Sequence, residues 1–178
     1  MFAFFKSRRQ AERHIESLYQ ANLQAARAPA FYETGGIPDT PEGRFEMIAL
    51  HVILTIRRLN REGETGRAAG QALFDHMFED IGHVLREMGV GDTSVGKKKR
   101  DMAEAFFGRF KAYSEAMEAQ DADRRVAAFG RNLSEVSADA DAARFAGYFE
   151  ESDALLAGQD LLSYGAGAEV RFPDFSRA

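Results

Sequence analysis

Three clusters of residues have types and spacings suited to chemistry. Gly91 to Lys98 reads G-x-x-x-x-G-K-K, which resembles a phosphate-cradling loop except that Lys98 stands where a magnesium-binding Ser or Thr belongs. That motif also needs a strand feeding the loop, and the residues ahead of Gly89 have the period of a helix, so the likeness is accidental. His76 and His83 lie seven apart with Glu79 and Asp80 between them, which gathers imidazoles and a carboxylate on one helical face that could ligate a metal. Helical di-iron sites use two Glu-x-x-His elements, and this chain offers only Asp80 with His83 as an analogue, so a solvated face is expected instead. Lys97, Lys98, Lys99 and Arg100 form the third cluster. With a helix starting near Thr93 to Val95 they would crowd its first turns, where the helix dipole disfavours a cation by up to about 1 kcal/mol. Cations held at such positions suggest an electropositive patch kept for an anionic partner.

The elements that position these residues are helical. The second helix opens at Thr40 and Pro41, an N-cap and first-turn pair, and runs to about Arg61, apolar all round except for a stripe of Arg44, His51, Thr55 and Arg58. It is expected to be the central helix, with His51 a satisfied interior or groove histidine. Other helices are read at about Ser7 to Arg27, Arg67 to Met88 with Gly89 as a left-handed C-cap, from near Thr93 through Met117, 122 to 133, and 139 to 157. On the third, Leu73, Met77, Ile81, Val84, Leu85 and Met88 are read as inward; on the fourth, Met102, Phe106, Phe110, Tyr113 and Met117 repeat at three- and four-residue spacing. No run alternates with period two long enough for a strand. The expectation is an all-α, single-domain bundle of about six helices: a basic amphipathic helix over 1–30, a helical domain over 31–157, and an irregular glycine-rich tail over 158–178.

Composition narrows the function. The 178 residues hold no cysteine, which removes disulfides and thiolate metal sites, and no Ser-His-Asp or Cys-His arrangement has local support, so an enzyme is not expected. The net charge of −5 argues against a DNA-binding protein. Positive charge is local. It lies in the Lys97–Arg100 run and in the opening "MFAFFKSRR", where Phe2, Phe4 and Phe5 precede Lys6, Arg8 and Arg9 in a pattern able to enter an anionic membrane surface. The longest apolar run, "MIALHVILTI", is about half of what a spanning helix needs, and the apolar-before-basic opening is the reverse of a secretory signal. Fifteen Phe and six Met without Trp, together with "AFFGRF" over 105–110, suit a groove for an apolar helix as well as a core.

The stretches "RFEMIALHVILTIRRL" and "QALFDHMFEDIGHVLREMGVGDTSVGKKKRDMAEAFFGRFKAY" resemble the ubiquinol-cytochrome c chaperone family over about residues 36 to 117. The resemblance rests on the ordered set LFD-x-MF-x-D, LREMGVGD-x-x-VGK and M-x-x-x-F-x-GR-x-x-AY. Gly82, His83 and Phe107 depart from the residues commoner there. What the resemblance implies is an all-helical fold without cofactor, and binding of cytochrome b during assembly of the cytochrome bc1 complex, with the ribosome or a second assembly factor as further partners. A bacterial homologue on the cytoplasmic side of the inner membrane, peripheral to it, is the expected setting. The residues expected to meet the client are Met88, Met102, Phe106, Phe107 and Phe110, with Arg109 and Lys97 to Arg100 as a basic rim. Alternatives are an adaptor that binds ribosomal RNA or anionic membrane through the basic run, and a His/carboxylate metal-binding helical oxidoreductase.

Overall fold

The computed structural model describes residues 2–163 and 170–177, with side chains described from residue 9 onward. Among these residues there are seven α-helices, no strand, and one short 3-10 turn, Phe175–Arg177. The helices are α1 Phe2–Ala26, α2 Pro29–Glu33, α3 Pro41–Asn60, α4 Gly63–Glu87, α5 Asp92–Glu118, α6 Ala122–Leu133 and α7 Ala142–Ala157. The fold class is as the sequence predicts. The added helix is α2, one short turn inside the segment read as loop, and it exists to bury Phe31.

α3 is the centre, packed against α1, α4, α5 and α7. Its start follows from local chemistry: the Thr40 side chain accepts from Gly43 N at 3.2 Å, Pro41 fills the first position, and Glu42 meets the positive helix end, an arrangement of about 1 kcal/mol. Burial of Met47, Leu50, Ile53, Leu54 and Leu59 supplies the apolar interior. The polar stripe is consumed inside the molecule, apart from the exposed Arg44. Thr55 Oγ1 donates to Asn22 Oδ1 at 2.8 Å, and Asn22 donates to Leu18 O, which explains why a polar residue interrupts the apolar period of α1. Arg58 donates to Leu156 O at 2.9 Å and Gln159 O at 2.8 Å, where a cation suits the negative end of α7.

α4 begins four residues earlier than its apolar period indicates. Gly63 takes φ +72° to reverse the chain, and at Gly66 a Cβ would sit 1.9 Å from Leu59 O, so only glycine lets the α3–α4 corner close this tightly. Gly89, at φ +81°, ends the other side of α4 as the sequence predicts. α5 begins at Asp92, earlier than the expected Thr93 to Val95. Lys97 is therefore its sixth residue, beyond the first turn where the dipole acts, and Asp92 stands in that turn instead. At this register the helix dipole puts no strain on the basic run, contrary to the expectation from a later start.

The described part of the tail is irregular but docked. Phe175 is buried, its ring 4.5 Å from that of Phe31 and 4.8 Å from that of Phe145, with the Arg144 guanidinium 4.4 Å above it. Phe172 lies edge-on to His51 at 4.7 Å.

Two interior groups generate predictions. Arg109, expected at a partner rim, is instead buried, holding Glu46 through Nε at 2.7 Å and Nη2 at 2.6 Å and reaching Glu135 at 2.8 Å. Burial pushes the Glu46 carboxyl up and Arg109 opposes it, so the pair stands or falls together. Arg109→Met should cost about 3–5 kcal/mol by leaving Glu46 unpaired, and Glu46→Leu in the same chain should recover most of it in denaturant unfolding. His51 is buried, donates through Nδ1 to Met47 O at 2.7 Å and accepts at Nε2 from Tyr148 at 2.8 Å. Burial holds its pKa down, from 6.5 to about 4, so the unfolded chain takes the proton first. Its stabilising contribution is complete above about pH 6.5 and falls by roughly 3 kcal/mol as pH drops through about 4. Urea midpoints measured across that range should slope less in His51→Gln, which cannot charge.

Candidate binding groove

α4 is longer than the surface available to cover it. Leu73, Met77 and Phe78 are buried, Ile81 and Leu85 are half-buried, and Val84 and Met88 reach the surface at 45% and 58% exposure. The sequence reads this whole stripe as inward because its 3.6-residue period does not change; what changes is the neighbour. α1 accompanies α4 through Glu16, which pairs with His76 at 2.8 Å, and Tyr19, whose hydroxyl donates to Asp80 at 2.8 Å. One turn later α1 spends Asn22 on Thr55 of α3.

The uncovered stripe forms one wall of a groove of about 400 Å³. Phe45 and Ile48 of α3 and Met102 of α5 supply the other apolar surfaces, and Tyr19 with Asp80 closes one end. Burial and the adjacent Asp80 push the Tyr19 phenol up, so it stays a neutral donor. At the mouth Arg44 grips Asp39 with two hydrogen bonds, Nε at 2.6 Å and Nη2 at 3.1 Å, and holds that carboxyl below its usual range. Asp39, Arg44 and Ile48 also line a second hollow of about 610 Å³ that runs on towards Ala26, Pro29 and Tyr32. The ion pair thus stands between two stretches of concave surface with a shared floor at Ile48. Apolar walls, few fixed polar groups and an exposed rim are what a site for an apolar helix or chain requires; no group of a nucleophile with its base is present in it.

The predicted residues separate into distinct locations. Met88 and Met102 meet in the groove. Phe106 does not; it is buried, 5.2 Å from Phe74 and 6.3 Å from Phe78 by ring centroids, and serves the α4–α5 contact. Phe107 is 56% exposed and leans on Phe74 at 4.9 Å, roughly 140° around α5 from Met102, so it belongs to another face. Phe110 is half-buried against the core. Arg109 belongs to the interior pair described above. Lys97, Lys98 and Arg100 are exposed and Lys99 is half-buried beside Gly82; none of the four forms an ion pair among the described residues. Lys98 is one turn from Met102 on the same face of α5, which brings the basic run to the groove's edge. At the N-terminus Arg9 is exposed, while the side chains of Phe2, Phe4, Phe5, Lys6 and Arg8 lie outside those described.

The histidine face is a correction. His76 is half-buried and edge-on to Tyr19 at 5.1 Å, so it and Asp80 serve the α1 interface, while Glu79 and His83 are solvated. The described residues bring no three His, Asp or Glu together in a metal-binding group. Sequence reasoning missed Asp39, Arg44, Phe45 and Ile48 as groove residues. Arg44 followed five residues after Asp39 across a helix start was the available signal.

No helix among the described residues is long and apolar enough to cross a membrane. Residues 33–171 match the family model described as Ubiquinol-cytochrome C chaperone, well beyond the 36–117 stretch that carries the motifs. Over 105 residues the chain is 30% identical to ubiquinol-cytochrome-c reductase complex assembly factor 1 of Xenopus laevis, covering 58% of this chain and 51% of that protein. It is 26% identical over 104 residues to the corresponding assembly factor of Mus musculus, covering 58% of this chain and 35% of the relative. The chain therefore spans about half the length of the first relative and about a third of the second. The crystal structure of the Cbp3 homolog from Brucella abortus matches with a TM-score of 0.80 and 31% identity, over 98% of this chain and 97% of that one. A match along most of the sequence and nearly all of the fold leaves one conclusion: the chain belongs to the ubiquinol-cytochrome C chaperone family.

Proposed function

We propose that this protein is a non-enzymatic assembly chaperone of the cytochrome bc1 complex, holding an apolar helical segment of cytochrome b in the groove between α3, α4 and α5. The observation that carries this reading is the uncovered end of the α4 stripe, where Val84 and Met88 are exposed beside Ile81, Leu85 and Met102. Apolar side chains kept in water cost solubility and are retained where a partner covers them. Methionine suits the task because its flexible thioether adapts to varied apolar surfaces. The relatives' names, as reductase complex assembly factors, supply the complex; cytochrome b as the subunit is part of the proposal. A peripheral position at the inner membrane, where such a client is made, fits the same reading.

The test is site-specific photocrosslinking in cells. A photoreactive residue at Met102 should capture cytochrome b, one at Leu155 on α7 should not, and Met88→Asp should lower capture at Met102 about tenfold, equivalent to about 1.4 kcal/mol. Capture from Leu155 or Phe107 with none from Met102 would place the client elsewhere and sink the groove. Capture of unrelated proteins only would count against the chaperone reading itself.

A further inference from the structure

The α4–α5 hairpin carries a second feature that holding a client does not require. Of residues 83–98 only Val95 is buried, so the tip stands in solvent on nearly every side. Val84 and Met88, two of the large apolar residues most exposed among the described residues, lie one turn apart on its α4 arm. Its α5 arm carries Lys97, Lys98, Lys99 and Arg100. With Arg86 there are five cations on 83–100 against the two carboxylates Glu87 and Asp92, in a chain whose net charge is −5. Asp92 is partly occupied by Arg86 at 3.4 Å.

We propose that this tip is a docking site for an anionic phospholipid surface, with Val84 and Met88 entering the headgroup layer and Lys97, Lys98 and Arg100 meeting lipid phosphates. Exposed aliphatic side chains flanked by unpaired cations are the complement of such a surface, apolar below and negative above. A nucleic acid fits less well. Single-stranded RNA is held by bases stacking on aromatic rings, and between Phe78 and Phe106 there is no Phe, Tyr or Trp. Val84 and Met88 also line the groove, so lipid and client would meet the same two side chains; the vesicle experiment contains no client and therefore reads the lipid site apart from the groove. The tip would also set the open end of the groove towards the bilayer from which an apolar segment comes.

The experiment uses the purified full chain and vesicles of phosphatidylcholine, alone or mixed with phosphatidylglycerol. The absence of cysteine allows Met88→Cys and Leu155→Cys to be labelled singly with a nitrobenzoxadiazole probe. Flotation is expected with the mixed vesicles only, weakening as salt rises, with a blue shift of the probe at position 88 and none at 155. Reversing Lys97, Lys98 and Arg100 to Glu should lower partitioning at least about tenfold while thermal unfolding stays unchanged, because all three are exposed and unpaired. Undiminished flotation of that variant would assign membrane binding to the N-terminal basic segment and overturn the proposal. A solvent-exposed probe at position 88, no flotation, or tight RNA binding without vesicle binding would overturn it equally.

Discussion

The structure depends on α3 being surrounded. On the buried faces of a helix packed on four others a polar group has no water to bond, and each unsatisfied one would cost about 1–3 kcal/mol. Every polar side chain that α3 carries inward is answered from a different element: Thr55 by Asn22 of α1, His51 by Tyr148 of α7, Arg58 by the carbonyls ending α7, and Glu46 by Arg109 of α5. These bonds fix how α1, α5 and α7 sit around the centre. Apolar burial would favour collapse in several registers; the polar pairs select one.

That arrangement leaves α4 partly uncovered. The α1 helix meets α4 through Glu16 and Tyr19 and meets α3 through Asn22. Beyond that point the α4 stripe runs on to Met88 along a groove whose other apolar walls include Phe45, Ile48 and Met102. Phe45 ties the groove's floor to the buried core, Val84 and Met88 stand exposed along its wall, and the Arg44–Asp39 pair fixes its mouth.

Much of the fold was legible because periodicity and caps are local. Thr40 with Pro41, Gly89, and the three- and four-residue spacing of Met102, Phe106 and Phe110 place α3, the end of α4 and the course of α5. α2 was not legible, since five residues carry no period, nor was the docking of Phe175, which the distant rings of Phe31 and Phe145 and the Arg144 guanidinium explain. The candidate site was legible in part. Met88 and Met102 were singled out by residue type, but the same reasoning chose Phe106 and Arg109, which the interior uses. Side-chain type says that a residue can bind; whether a neighbouring helix already covers it is a long-range matter. The same limit hid the role of His76 and Asp80, whose polar face looks solvated until α1 is laid across it.

A client held in the proposed groove would cover the end of α4, the start of α3 and Met102. Amide hydrogen exchange of the purified protein, alone and bound to its apolar client segment, addresses it directly. Slower exchange is expected over residues 81–88, 41–48 and 98–102 on binding, with α6 and α7 unchanged. Protection confined to α6 and α7, with the end of α4 exchanging as fast as in the free protein, would contradict it.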